Sequence, residues 1–222
     1  VRETDDATTS LVTLGAWARQ AATVSVRPSV LATVTVADLG RHGTLGLGAL
    51  AGSGDGLVLV DRRCFRMRPD GTAAAADPAG EIGFAVVSTF SPDIVVAVEP
   101  VEPAAAVASV ADLEARIAAV LPPRDFGVAV SAHGVFDRVR TRARGTGTTL
   151  HRTLAGRLVG FRTPGPGGAG AGLHLAVLDA TRTRAGALVD FAGFSGRIEL
   201  GFSTALHLAV PDLGVVFDGA PG

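Results

Sequence analysis

Lysine, tyrosine and asparagine are absent from these 222 residues, and cysteine, methionine and tryptophan occur once each. Without lysine there is no Schiff-base amine, and without tyrosine there is no phenolic general acid. A lone Cys64 excludes an intrachain disulfide and a cysteine metal cluster. It lies in a strand-like run and is expected to pack as a small hydrophobe. No apolar run approaches the roughly 18 residues a membrane helix needs. The opening VRETDDATTS lacks the basic start and apolar stretch of a signal peptide. A formal charge of −1 offers no overall basic surface to nucleic acid. A cytoplasmic protein is expected, with neither membrane nor nucleic acid as partner.

What is present is apolar and rich in small residues. Hydrophobic residues make up 47% and mean hydropathy is +0.38, enough for a buried core. The weight of Ala, Gly, Val and Arg suggests a high-GC genome. Most periodicity is β-like. Leu57–Val60 and Cys64–Arg68 read as a hairpin across Asp61-Arg62-Arg63, followed by a Pro69-Asp70-Gly71 turn. Ala73–Ala76 reads as loop, and Ile82–Phe90 and Ile94–Val98 as strands. Phe126 to Arg142 reads as a second hairpin turning at His133-Gly134. Leu158–Phe161, Leu173–Leu178, Ala187–Phe191, Arg197–Phe202 and Ala205–Val210 read as further strands, and Pro164–Gly172 as loop.

Two helices are expected. One is short, over Leu11–Val24, and contains Trp17. The other starts at a Ser109/Asp112 capping pair, places Leu113, Ile117, Val120 and Leu121 on one apolar face, and stops at Pro122-Pro123. Strands are not alternating with helices, so the fold class is α+β and predominantly β. We divide the chain into a loose N-terminal segment with a short helix (1–28), a mixed-sheet part (29–145) and a β-rich part (146–222), forming one compact unit. Arg138, Arg140, Arg142 and Arg144 alternate and so share a strand face, either a solvated face or one that binds anions. His42, His133 and His151 sit in turn-like or polar contexts that suit turn or surface roles.

Three blocks carry a family resemblance. They are Val34-Thr35-Val36-Ala37-Asp38-Leu39-Gly40-Arg41-His42-Gly43, Gly156 to Pro164, and Gly172 to Leu178 followed by Ala185 to Phe191. Together with the stretch ending in Thr141-Arg142, they resemble the bacterial α-acetolactate decarboxylases. The resemblance implies an extended N-terminal mixed sheet, a smaller C-terminal barrel-like sheet, and a dimer with its site between the two parts. In that family a zinc ion on three histidines supports decarboxylation of 2-hydroxy-2-methyl-3-oxobutanoate to acetoin. A divalent cation stabilises the enediolate left by loss of CO2. The positions matching the three ligands are here His174, Ala176 and Ala187, and Leu57 stands where the family has a glutamate. Only Arg142 keeps a family role, as a carboxylate clamp.

One imidazole and two methyl groups do not make a metal site, so no metal or other cofactor is expected. Swapping histidines for alanines and glutamate for leucine leaves a larger, drier pocket. The catalytic candidates are Arg142 and His174, and the candidates for lining the pocket are Leu57, Phe65, Phe84, Phe161, Ala176, Ala187 and Phe191. A dry pocket suits reactions driven by folding and proximity, so the leading reading is a metal-independent enzyme of natural-product biosynthesis. It would perform a cyclisation, a pericyclic cycloaddition or an isomerisation on a hydrophobic, polyketide-like small molecule, as a homodimer. Two alternatives stay open: a non-catalytic ligand-binding protein, and a decarboxylase with a rebuilt site.

Overall fold

The computed structural model describes residues 25–28, 34–98, 107–121, 127–142, 147–163, 172–203, 206–210 and 215–219. The Leu11–Val24 helix, Arg144 and the Pro164–Ala171 stretch lie outside these.

The first structured block is a five-stranded sheet ordered β5-β4-β3-β2-β6, from β2 (Leu45–Leu50), β3 (Gly56–Val60), β4 (Arg63–Met67), β5 (Ala73–Ala75) and β6 (Ile82–Ser88). All its pairings are antiparallel. The alanine run expected as loop is thus the edge strand β5, held by Phe65↔Ala75 and Met67↔Ala73. Helix α1 (Val36–His42) precedes the sheet. Thr35 caps it, its hydroxyl accepting from the Asp38 N–H while the Asp38 carboxylate accepts from the Thr35 N–H at 2.8 Å. Val36 and Leu39 of this helix cover Leu57, Leu59, Cys64, Ala85 and Val87 on one face of the sheet.

The second block is built from long strands: β7 (Ile94–Val98), β8 (Gly127–Arg142), β9 (Thr148–Thr163), β10 (Gly172–Asp179) and β11 (Ala185–Ser203). Their order is β10-β9-β8-β11-β7, and β10 also pairs with β11, so four strands close into a barrel. Sheet membership changes between Ser88 and Ile94, so β7 and β8 belong with the C-terminal strands and not with the part ending at 145. A third, three-stranded sheet joins β1 (Ser25–Pro28), β13 (Val215–Gly219) and β12 (Leu206–Val210). β1 lies in the segment expected to be loose.

Several expected breaks are absent. The supposed turn at His133-Gly134 is the middle of β8, and the expected pair Ala187–Phe191 and Arg197–Phe202 is one 19-residue strand. The cause is a row of glycines across three strands, with Gly134 facing both Gly156 and Gly196. A Cβ at Gly134 would lie 2.0 Å from the Ser195 carbonyl oxygen, so glycine here permits close strand approach and bending, not chain reversal.

The barrel interior holds Val130, Phe136, Val139, Leu154, Leu158, Val177, Phe191, Phe194 and Ile198. Phe136 stacks on Phe194 and meets Phe191 edge-on, at centroid distances of 4.7 and 5.5 Å. Helix α2 (Val110–Val120) adds Leu113 and Ile117 to this core, capped as expected by Ser109, whose hydroxyl accepts from the Asp112 N–H at 3.1 Å. The barrel's outer face presents Ala129, Val159, Phe161, Ala176, Leu178 and Ala185 to Leu45, Val58, Val60, Phe65, Met67 and Val86 of the first sheet. This apolar interlayer joins the two blocks. Among the described residues no helix is long and apolar enough to cross a membrane.

Candidate functional site

Register places the candidate residues without appeal to any relative. His174 and Ala176 are two apart on β10 and so share a face. Ala176 pairs directly with Ala187, and Ala187 pairs directly with Arg142. Directly paired residues project to the same side, so all four lie on the barrel's outer face. His174 is also opposite Phe161.

The face is sealed at one end and open at the other. Ala176 is 1% exposed, and Phe161, Phe65, Met67 and Val58 belong to the packed interlayer around it. The methyl group has not left a hole there, because the first sheet fills the space. Ala187 and Arg142, one and two strands away, are exposed, and His174 is half-buried.

Two expected wall residues lie elsewhere. Leu57 is 1% exposed beneath α1, on the far face of the first sheet, because Val58 and Val60 take the inward parity. Phe191 points into the barrel interior against Phe136. Phe65 and Phe161 are in the interlayer. Phe84 is half-buried opposite Ala49 and alternates with Val86 toward that same layer.

The residues do not fit a zinc ion. A tripod needs three donors converging from adjacent strands, and only His174 offers one. Asp55, buried, is held by the Arg66 guanidinium, and Asp190 accepts from the Val110 N–H and pairs with Arg140. Among the described residues no three His, Cys, Asp or Glu side chains could together hold a metal ion. Cys64 is buried, which pushes its thiol up to about 11 and keeps it protonated.

Two histidines have surroundings the sequence did not disclose. His151 is buried and lies 3.1 Å from the Thr141 hydroxyl. Burial, then the charge of Arg184, holds its pKa below the ordinary value despite Asp179. His133 lies on β8, 3.5 Å from Glu199. Burial and the neighbouring Arg157 depress it, partly offset by Glu199. It sits beside a polar cluster of Asp61, Ser131, Arg157 and Arg197 that the sequence reading missed. The available signal was Asp61-Arg62 in a two-residue hairpin turn, where Asn-Gly or Asp-Gly is the norm.

The comparisons agree with this geometry. The family profile described as Alpha-acetolactate decarboxylase matches residues 28–219. The chain is similar to the alpha-acetolactate decarboxylase of Methylococcus capsulatus, at 27% identity over 83% of this chain and 75% of the relative. It is also similar to that of Klebsiella aerogenes, at 27% identity over 80% and 72%. Among solved structures, the Bacillus subtilis strain 168 enzyme superposes with a TM-score of 0.71 at 22% identity, covering 83% of this chain and 84% of that one. A Staphylococcus aureus protein described as similar to alpha-acetolactate decarboxylase gives a TM-score of 0.72 at 20% identity, covering 82% and 83%. With the profile matching most of its length, the chain belongs to the alpha-acetolactate decarboxylase family.

Proposed function

We propose that this family member works without zinc, binding an apolar, oxygen-bearing small molecule at the open end of the Arg142–Ala187–Ala176–His174 row. There it promotes a cyclisation, cycloaddition or isomerisation of the kind found in natural-product biosynthesis. The observation that carries this reading is the unequal fate of the row: two donor positions are methyl groups, while Arg142 and His174 still share their face. Such reactions redistribute bonds within one molecule and need no oxidant, metal or co-reactant. Arg142 is exposed and, among the described residues, has no carboxylate partner, so its guanidinium is free to bind a carbonyl or enolate oxygen. His174 can donate a second hydrogen bond or relay a proton. A homodimer is part of the reading: β7 ends the second sheet with Val95 exposed, an edge a second copy can extend.

The test is incubation with a linear conjugated β-diketone probe, followed by mass spectrometry. An isomeric product of unchanged mass is expected, with turnover reduced about tenfold or more in Arg142→Ala, as loss of a charge-assisted bond implies. Near-stoichiometric zinc after mild purification, with acetoin formed from 2-hydroxy-2-methyl-3-oxobutanoate, would overturn it. Saturable binding without turnover would assign the same face to a ligand-binding protein instead.

A further inference from the structure

A second concavity, of about 390 Å³, opens at the rim of the interlayer between Thr44, Asp61, Arg62, Phe90 and Arg157. It is separate from the Arg142 face, because Val159 and Ala176, both essentially unexposed, fill the layer between them. Its volume is in the range of small-molecule sites.

Arg157, only 16% exposed, forms part of its wall. Its Nε donates to the buried Ser131 hydroxyl at 2.9 Å, and one terminal nitrogen donates to Asp61 at 3.1 Å. Those two bonds fix the guanidinium and use two of its five N–H donors. Asp61 lies within 3.8 Å of Arg182 as well. Arg62 stands exposed at the mouth, where it donates to the Gly40 carbonyl at 3.4 Å. Asp61 is thus shared by Arg157 and Arg182, while Arg62 lines the same cleft. The adjacent Glu199 is matched by Arg197 at 2.8 Å, and His133 is held toward its neutral form by burial and Arg157. The charged residues lining the cleft are Arg62, Arg157 and Asp61, so its lining is net positive.

The turn that supplies two of these groups is strained. Asp61 and Arg62 have φ of 51° and 64°, the left-handed region that disfavours side chains. Glycine would relax the turn but could not place a charge at the mouth. The opposite wall is apolar. Phe90 packs on Gly201, where a Cβ would come 3.1 Å from its ring, and the Phe90 N–H donates to the Thr44 hydroxyl at 2.9 Å.

We infer that this cleft is a binding site for a small carboxylate with a flat apolar body. Arg62 and Arg157 take the carboxylate, and Phe90 covers the apolar part. Charge-assisted, bidentate contact to guanidinium is the chemistry that recognises such an anion.

The test uses the full chain and isothermal titration with 2-naphthoate, set against the neutral 2-naphthalenemethanol. Naphthoate should bind at least about tenfold tighter than the alcohol, the size expected of a charge-assisted contact. Arg62→Gly should weaken naphthoate by a similar factor while leaving the melting temperature equal or higher, since it relieves the turn. Phe90→Ala should weaken both probes. Arg152→Ala, an exposed arginine of β9 outside the cleft lining, should leave naphthoate binding unchanged. Equal affinity for the two probes, or no loss in a folded Arg62→Gly, overturns the inference. Loss in Arg142→Ala but not in Arg62→Gly would place the anion site on the Arg142 face and refute this cleft without touching the proposed function.

Discussion

Ala176 and Ala187 face each other across two strands, yet one is sealed at 1% exposure and the other is open to solvent. They are equivalent in register and chemistry. What differs is the layer above them. The first sheet lies on Ala176 with Val58, Phe65 and Met67, whereas Ala187 and Arg142 extend past its cover. A side chain shortened under a packed sheet is compensated by closure of that sheet, because protein interiors tolerate few voids. One shortened at the surface leaves a shallower surface. One row of residues can therefore be sealed at one strand and left accessible at the next.

The largest expected effect tests that contrast directly. Ala176→His pushes an imidazole into a filled layer and should destabilise by about 1–3 kcal/mol. Ala187→His, exposed, should stay within about 0.5 kcal/mol. Urea unfolding of the two variants decides it; similar midpoints would mean the layer over Ala176 is loose. Combining both substitutions sharpens the comparison. The double variant should remain zinc-free, with a melting temperature unmoved by added zinc, because the first sheet occupies the space beside residue 176. A zinc-dependent rise would show that the sheet yields and that the three positions still converge.

A smaller effect is expected where backbone and not packing sets the cost. Arg62→Gly should stabilise by about 1 kcal/mol, the cost of holding a side chain in the left-handed region. Thermal denaturation would show no gain if the turn is unstrained. Arg142→Ala, on the open end of the row, should change stability by less than about 0.5 kcal/mol while lowering turnover or ligand affinity. A marked loss of melting temperature would make Arg142 a structural residue.

How much of this was legible in the sequence depends on whether a pattern is local. The Ser109 cap with Leu113 and Ile117, and the strand pair around Asp61-Arg62, are encoded within a few residues and match the structure. The sharing of one face by His174, Ala176, Ala187 and Arg142 needs long-range register, which only the family resemblance supplied. Two kinds of reading failed. His133-Gly134 suggests a turn when read along the chain, but Gly134 acts by contact across strands with Gly156 and Gly196. Leu57 is expected in the pocket from its match to the family's glutamate, and Phe191 from lying on a neighbouring strand, but strand parity turns both to other faces. The polar cluster of Asp61, Ser131, Arg157 and Arg197 draws on four separated segments, so apart from the Asp61-Arg62 turn no local motif announces it.

The smallest expected effect concerns pH, and it separates sealed from open histidines. His151, 8% exposed, and His133, half-buried, have pKa values lowered from 6.5, chiefly by burial. A lowered pKa means that below pH 6.5 the unfolded chain takes up these protons before the folded one does. Stability from the neutral rings is thus complete above 6.5 and declines as pH falls below it, down to the folded pKa values. The carboxylates with depressed pKa, Asp38, Asp70 and Asp179, lose their contribution only below about their ordinary 3.8, outside this window. Melting temperature should therefore fall modestly between pH 7.5 and 5. His151→Gln, which can keep a hydrogen bond to Thr141, should flatten that slope. An unchanged slope would mean that His151 titrates as freely as an exposed imidazole and that the Thr141 end of the barrel is open to water.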